Sequence, residues 1–368
     1  MSFFRKVIFF FNLLAIGALM LCYMNPHVSP AKFWPLAFLG LAYPAVYIIN
    51  IFFFLFWLLR KSILLLFSAI TLSFGFFHFN TIYQFRWQDK VSKTKENSIK
   101  VMSFNVRLFD LYNWTKNKTT RQAIFDFIKK ENPDIIAFQE FYADEDNEFI
   151  QVDSLKSLLN LPYNDYEFTL TLRKKHHWGI ATYSKCRIIG SGHVNFREKS
   201  NNICIYSDML INHDTVRVYN MHLQSIHLLK EDYKFIDALG NDSVDVDEYK
   251  GSRKIAGRLK RAFIKRAEQV DSVSKSIKNS PYPVIVCGDF NDTPASYTYQ
   301  TMTSNLKDSF VGAGKGWGKT YIGIFPSYRI DYILHSNSFE AYEYTTHQEK
   351  LSDHYAISCR LTNLKSLE

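Results

Sequence analysis

Residues 282–294 read YPVIVCGDFNDTP, in which Val284 to Gly288 run without a polar break into Asp289, Phe290, Asn291 and Asp292. A strand with no polar alternation is covered on both faces, as in the layered sheets of an α/β fold. The abrupt switch to carboxylate and amide side chains puts oxygen ligands at the rim of that sheet. Outward along the chain the signature recurs. SIKVMSFNV (98–106) carries Asn105 near its end, PDIIAFQE (133–140) ends in Glu140, and TVRVYNMHL (215–223) carries His222. WGIATYS (178–184) and NICIYSDMLI (202–211) read as further buried strands. YRIDYILH (328–335) holds Asp331 near its start, and HYAISCRL (354–361) opens on His354, directly after Asp353.

Helical spacing intervenes twice. Thr119–Glu131 has apolar residues at 123, 124, 127 and 128, and Gly251–Lys278 has Ile255, Leu259, Phe263, Ala267 and Val270. Buried strands with helices between them predict two packed sheets with helices outside, a two-sheet α/β sandwich over residues 98–368. The segment 225–266 interrupts this order. It is acidic first (Glu231, Asp232, Asp237, Asp242, Asp245, Asp247, Glu248), then has eight basic residues and no acidic one from Lys250 to Arg266. That run reads either as a solvated helix face or as a patch for anionic headgroups or a phosphate backbone.

The amino-terminal part is of another kind. Seventeen of the 32 Phe fall before residue 86, within apolar runs at about 7–23, 33–59 and 62–79. Each approaches the ~20 residues a helix needs to cross a bilayer. Three in succession predict an all-α membrane region of three helices over residues 1–80, followed by a polar linker, 81–97. The net charge of +9 belongs here as well: residues 1–85 hold five basic residues and no acidic one, whereas 101–368 hold 34 basic and 33 acidic. The large downstream segment therefore lacks the basic excess of a nucleic-acid-binding domain. Arg5 and Lys6 before the first run, with Arg60 and Lys61 between the second and third, orient these ends to the cytoplasm. Three crossings would then leave residues 98–368 outside it, in a multi-pass protein of the cell membrane. The basic stretch Arg86–Lys100 lies on the side that rule disfavours. The five Cys form no CxxC or zinc spacing and read as buried thiols, one disulfide remaining open.

Each strand-end residue taken alone has an ordinary role in a turn or on the surface. Together they form one donor set: carboxylates, amides and two His, without Cys. Oxygen-rich sites of this kind suit Mg²⁺, Mn²⁺ or Ca²⁺ rather than zinc. A carboxylate-held hard cation with His as acid or base is the equipment of phosphate-ester hydrolysis.

The motifs SFNVR, PDIIAFQE, WGIATYSK, YNMHLQS, CGDFNDTP, RIDYIL and LSDHYAI occur in this order over about 260 residues. In this the segment from Ser98 to about Leu361 resembles the endonuclease/exonuclease/phosphatase superfamily, a family of metal-dependent phosphoesterases with deoxyribonuclease and sphingomyelinase branches. The resemblance implies a two-sheet α/β sandwich and a divalent cation. It implies Glu140 and Asn105 as metal ligands, with Asp353 as a second carboxylate on the metal side, and Asn105 also touching phosphate. Asp289 would orient or deprotonate the attacking water, and Asn291 would help to bind the phosphate. His354 would be a catalytic His paired with Asp331, and His222 a phosphate binder or acid. His176, His177 and Trp178 are candidates for a substrate groove, Arg107 reads as a surface charge, and His213 and His227 as structural.

Three substrate readings are open at this stage. The first is hydrolysis of a lipid-linked phosphate or phospholipid headgroup by an anchored enzyme, tethering raising the effective concentration of a two-dimensional substrate. It draws on a resemblance to membrane members of the superfamily associated with glycopeptide-antibiotic resistance, thought to act on isoprenoid-lipid phosphates. The second is an extracytoplasmic nuclease acting on DNA or RNA. The third is an envelope binding module with little catalysis.

Overall fold

The computed structural model of the chain describes residues 3–88, 90, 98–145, 150–198, 200–226, 231–232, 248–323 and 328–364. His227, the acidic residues 237–247 and most of 89–97 lie outside them. Along the chain run helices α1 (Phe3–Met24), α2 (Pro30–Phe33), α3 (Pro35–Leu59), α4 (Leu65–Phe74) and α5 (Phe76–Phe79). Strands β1 (Tyr83–Gln84) and β2 (Ser98–Asn105), helix α6 (Thr120–Glu131), β3 (Ile135–Asp144), α7 (Val152–Leu159), β4 (Tyr163–Leu172), β5 (His176–Ser184) and β6 (Ile188–His193) follow. Next come β7 (Ile203–Ile211), β8 (Asp214–His222), α8 (Glu248–Lys278), β9 (Val284–Asp289), α9 (Tyr297–Thr303) and β10 (Lys307–Asp308). The chain closes with α10 (Ser309–Ala313), β11 (Gly316–Trp317), β12 (Asp331–His335), β13 (Phe339–Thr346) and β14 (Ile357–Asn363).

These elements form two compact units. One comprises Met1–Ile82, Ile226–Ala267 and Asp292–Thr301, the other Tyr83–Ser225, Glu268–Asn291 and Met302–Glu368. The second unit is the expected sandwich. Its sheets run β10-β12-β9-β8-β7-β6 and β13-β14-β2-β3-β5-β4, with β2/β3 and β8/β9 parallel and the other pairs antiparallel. One core lies between the sheets, where Val101, Ile135 and Ala137 meet Val218, Ile285, Cys287 and Ile333. A second lies under α6 and α7, built on Phe104, Phe109, Ile124, Phe138, Phe141 and Tyr183. Every residue of β9 and β12 is buried, as their unbroken apolar sequences require. This unit begins at Tyr83, because β1 pairs with β11 and Arg86 donates to the Gly314 carbonyl at 2.8 Å. The first part of the expected linker is thus built into the fold. All five Cys are free.

The helical unit corrects the count of three spanning helices. Two helices, Phe3–His27 and Pro35–Leu59, each 25 residues, are long and apolar enough to cross a membrane. The third run instead gives the ten-residue α4 and the four-residue α5, divided at Gly75. Ten helical residues span about 15 Å, half of a hydrocarbon core. The buried polar side chains of this unit bond one another. Asn12 Nδ2 donates to Ser68 Oγ at 2.9 Å, Trp57 Nε1 donates to Asn12 Oδ1 at 2.9 Å, and Asn50 Nδ2 donates to the Ala15 carbonyl at 3.0 Å. Such bonds fix the register of apolar helices whose packing surfaces are otherwise interchangeable. Helix α8 adds an apolar stripe to this unit, Ile255, Leu259 and Phe263 lying against Ala37, Phe38 and Leu41.

Candidate active site

Sheet register assembles the site. In one sheet Asp331 lies opposite Asp289 and Asp289 opposite His222, so three strand ends bring three functional groups into a row. Gly288 allows this. A Cβ there would lie 2.2 Å from the Met221 carbonyl oxygen, so only glycine permits β9 to approach β8 this closely. In the other sheet Asn105 closes β2. Glu140 differs from its expected place at a strand end: β3 continues to Asp144, and Glu140 occupies an irregularity in the ladder between Phe138 and Phe141 with φ +48°. The extra residue turns its carboxylate out of the ladder.

The groups converge on Asp289 Oδ2, whose residue is 1% exposed. Asn105 Nδ2 donates to it at 3.0 Å, and His222 Nε2 and His354 Nε2 stand at 3.7 and 3.8 Å. Asn105 Nδ2 also reaches Glu140 Oε1 at 3.4 Å, and His222 Nε2 lies 3.9 Å from that same oxygen. On its far side His354 Nδ1 contacts Asp331 Oδ2 at 2.9 Å. A carboxylate on Nδ1 fixes the ring and directs Nε2 at Asp289. Burial opposes the charged imidazole, but Asp331 and Asp289 outweigh it and raise the His354 pKa well above the usual value. Burial and the charge of Asp331 likewise raise Asp289, to about 6.

Asn291 donates its backbone N–H to Asp289 Oδ1 at 2.8 Å and its side-chain amide to the Leu223 carbonyl at 3.0 Å, from a backbone at φ +54°. It braces the Asp289 turn and the end of β8. Asp353 lies beside Arg107, Nε to Oδ2 3.4 Å, and accepts from Ser352 Oγ at 3.2 Å. Its charge adds to the raised pKa of His354. Arg107 is more than a surface charge. Its backbone N–H donates to Asn105 Oδ1 at 3.1 Å and its guanidinium lies 4.5 Å over the Trp114 ring. Residues 107–110 all have positive φ, 44–58°, a left-handed turn of non-glycine residues directly after Asn105. Strain of this kind persists where surrounding contacts over-determine it, as at functional sites.

His176 contacts Tyr142 Oη at 2.8 Å and Asp144 at 3.4 Å, His177 stacks on Phe168 at 4.6 Å, and Trp178 packs on Tyr142 at 5.1 Å. His213 occupies the β7–β8 turn at φ +72°. Sequence reading missed two supports. Thr320, fully buried, accepts at Oγ1 from the backbone N–H groups of Ile330 and Asp331, while its carbonyl accepts from Tyr355 at 2.8 Å, joining the Asp331 and His354 segments. Asn220 ties the two sheets together. Its Oδ1 accepts from Gln139 Nε2 at 2.7 Å, and its Nδ2 donates to the Phe138 and Ala181 carbonyls at 3.1 and 3.0 Å. The polar Asn220 inside an otherwise apolar run was the available signal; Thr320 offered none.

The donor set fits a hard cation. Glu140 and Asp289 offer carboxylate oxygens around one space, and the buried Nε2 of His222, facing both, has no hydrogen-bond partner among the described residues. Asp289, Asp331 and His354 also place potential ligand atoms within 4.8 Å of one another. His354 Nδ1 is committed to Asp331 there, which leaves Nε2 as the ring atom that faces Asp289.

Comparison with known proteins agrees with this architecture. Residues 102–354 match the model of the Endonuclease/Exonuclease/phosphatase family, and residues 5–82 match a domain of unknown function. No curated protein matches the chain. Among solved structures, the human Nocturnin catalytic domain with bound sulfate anion aligns at TM-score 0.52 and 17% identity, over 76% of this chain and 100% of that one. The Bacteroides thetaiotaomicron mannosyl-6-phosphatase Bt3783 aligns at 0.50 and 17%, over 72% and 99%. D. rerio TDP2 humanised by 14 mutations aligns at 0.51 and 14%, over 73% and 100%. At these identities the likeness concerns the fold, a two-sheet phosphoesterase and nuclease fold. With the family model covering more than two thirds of its residues, the chain belongs to the Endonuclease/Exonuclease/phosphatase family.

Proposed function

We propose that the protein is a Mg²⁺-dependent phosphoester hydrolase, anchored in a membrane by its amino-terminal helices and acting on a lipid-linked phosphate or phospholipid headgroup. The carrying observation is the convergence of Asn105, His222 and His354 on the buried Asp289 carboxylate, with Asp331 behind His354. A cation held at the Glu140 carboxylate, beside the Asn105 amide, would neutralise phosphate oxygens and stabilise the leaving oxygen. Asp289 orients water and takes its proton. His354, held charged between two carboxylates, offers an N–H to a phosphate oxygen and stabilises the charge that gathers there. His222, from the facing strand, supplies a second donor. Asn291 and Arg107 hold the turns that position Asp289 and Asn105.

The membrane part of the reading draws on the two long apolar helices and on the course of the third run. Ser68 lies against Asn12, midway along α1, and His78 stacks on Tyr23 near its end, 5.6 Å between ring centroids. The run thus follows the second half of α1, and the reading of a domain outside the cytoplasm draws on the positive residues Arg5, Lys6, Arg60 and Lys61. A nuclease reading rests on the basic run of α8. Against it stands the near-neutral balance of residues 101–368, with 34 basic and 33 acidic residues, which favours the lipid. The deciding assay takes the full chain in detergent with Mg²⁺ and offers a phosphodiester lipid, an isoprenoid phosphate and plasmid DNA. Turnover of a lipid substrate, lost in His354→Ala and Glu140→Ala, is expected. Hydrolysis of DNA alone, with steep salt dependence, would overturn the lipid assignment.

A further inference from the structure

Helix α8 has two opposed faces in the helical unit. At 100° per residue, Ile255, Leu259 and Phe263 fall on one side, the stripe that meets α3, with Phe38 and Phe263 edge to face at 5.3 Å. Arg253, Lys254, Gly257, Arg258 and Arg261 fall on the other. With Glu231 they line a cavity of about 510 Å³, a size suited to a small ligand or headgroup. Among the described residues four cations thus face one carboxylate there, and Arg258 has Asp232 at 2.9 Å as its own counter-ion. Arg253, Lys254 and Arg261 are exposed. Gly257, an unfavourable residue in a helix interior, leaves the cavity open: a Cβ there would meet only the Arg261 guanidinium, at 3.7 Å.

The level of this cavity along the apolar helix is marked. The contact is with the first turns of α3, and Lys260 Nζ lies 4.6 Å over the ring of Trp34, just before that helix. Tryptophan at the end of an apolar helix lies at headgroup level. Arg forks at that level match phosphate oxygens in pairs. We propose that the cavity of α8 binds the phosphate group of an anionic membrane lipid and so seats the helix on the bilayer surface. The ligand chemistry is a phosphate ester anion, its source a lipid and not a soluble phosphate. The proposal rests on the membrane-anchored part of the proposed function and is independent of turnover.

Its test uses the full chain carrying His354→Ala, so that hydrolysis cannot consume the probe. Native mass spectrometry in detergent titrates phosphatidylglycerol, phosphatidylcholine and glycerol 1-phosphate. Phosphatidylglycerol should bind far more tightly than the other two. Neutralising Arg253, Lys254 and Arg261 together to Gln should weaken it by roughly 100-fold. Gly257→Leu keeps every charge but fills the cavity, and should weaken it by at least about tenfold. Lys254→Gln, an exposed single change, serves if the triple variant loses its helical circular dichroism, and should reduce affinity severalfold. Unchanged phosphatidylglycerol affinity in these variants, or in Gly257→Leu alone, would overturn the site, the latter by reducing it to diffuse charge. Glycerol 1-phosphate bound as tightly as the lipid would overturn the lipid source. Carbonate extraction separately tests anchoring, and lipid turnover by the wild type separately tests hydrolysis.

Discussion

At the scale of single residues, the chemistry was legible wherever an apolar strand broke into a polar end. Asn105, His222, Asp289, Asp331 and His354 announced themselves in this way, and they meet in the structure. Thr320 escaped because a threonine in a loop has no periodicity to violate, and its role exists only once two distant segments are side by side. Asp331→Asn separates charge from shape. The amide can still accept from the Nδ1 hydrogen of His354, but it no longer holds the ring charged, and in one flip it offers the wrong partner. Turnover should fall by roughly 10²–10⁴-fold while the urea midpoint stays near that of the wild type. Turnover within a few-fold of wild type would remove Asp331 from the machinery. Thr320→Val, which keeps the shape but loses the acceptor for two backbone N–H groups, should lower both stability and turnover, at a cost of about 1–3 kcal/mol. An unchanged urea midpoint would mean that water replaces its hydroxyl.

At the scale of elements, the eight strands read from sequence became β2, β3, β5, β7, β8, β9, β12 and β14, the inner strands of both sheets. Those not read are β4, β6, β10 and β13, the four edges of these two sheets, and the short pair β1 and β11. Edge strands are partly wet and mix polar residues into their pattern, as in YNDYEFTLTL of β4 and FEAYEYTT of β13, so burial leaves a weaker imprint on them. The edge strand β4 carries a pH-dependent element. Burial raises Asp165 from 3.8 to about 6, even though Ser207 Oγ donates to it at 2.8 Å. A folded-state pKa above the unfolded one favours the protonated carboxyl. Its contribution is therefore complete below about pH 4 and is lost as pH rises through about 6. Asp165→Asn should raise the unfolding free energy from urea titration at pH 8 by an amount of order 1–3 kcal/mol, with the gain vanishing near pH 4. An equal gain at both values would locate the effect in packing. Where β8 meets β9, Gly288→Ala would force the strands apart at Met221, costing about 1–3 kcal/mol and separating His222 from Asp289. Wild-type turnover in that variant would show that the register tolerates it.

At the scale of the whole molecule, the two compact units do not follow the order of the chain. Residues 226–267 and 292–301 belong with the amino-terminal helices, although they lie between strands of the sandwich in sequence. The stripe of Ile255, Leu259 and Phe263 read as a helix face covering a sheet, because amphipathic spacing states that a face is covered and not by what. The third apolar run failed for a different reason: composition counted its residues, while Gly75 and the turn after Lys61 divided them. This division bears on topology. From Leu65 to Phe79 the run covers about 22 Å as helix, short of the ~30 Å hydrocarbon core. A short segment is accommodated by local thinning or by flanking residues at modest cost, and the contacts of Ser68 with Asn12 and of His78 with Tyr23 carry the run along the second half of α1. The proposed topology, with Arg5, Lys6, Arg60 and Lys61 inside by the positive-inside rule, puts the sandwich on the opposite side of the membrane from the amino terminus. Proteinase K added to intact spheroplasts should degrade the sandwich while sparing a tag placed before Phe3, which should be cut only after detergent. Protection of both in intact spheroplasts would mean that the third run enters the membrane without crossing it, and would place the sandwich on the cytoplasmic side.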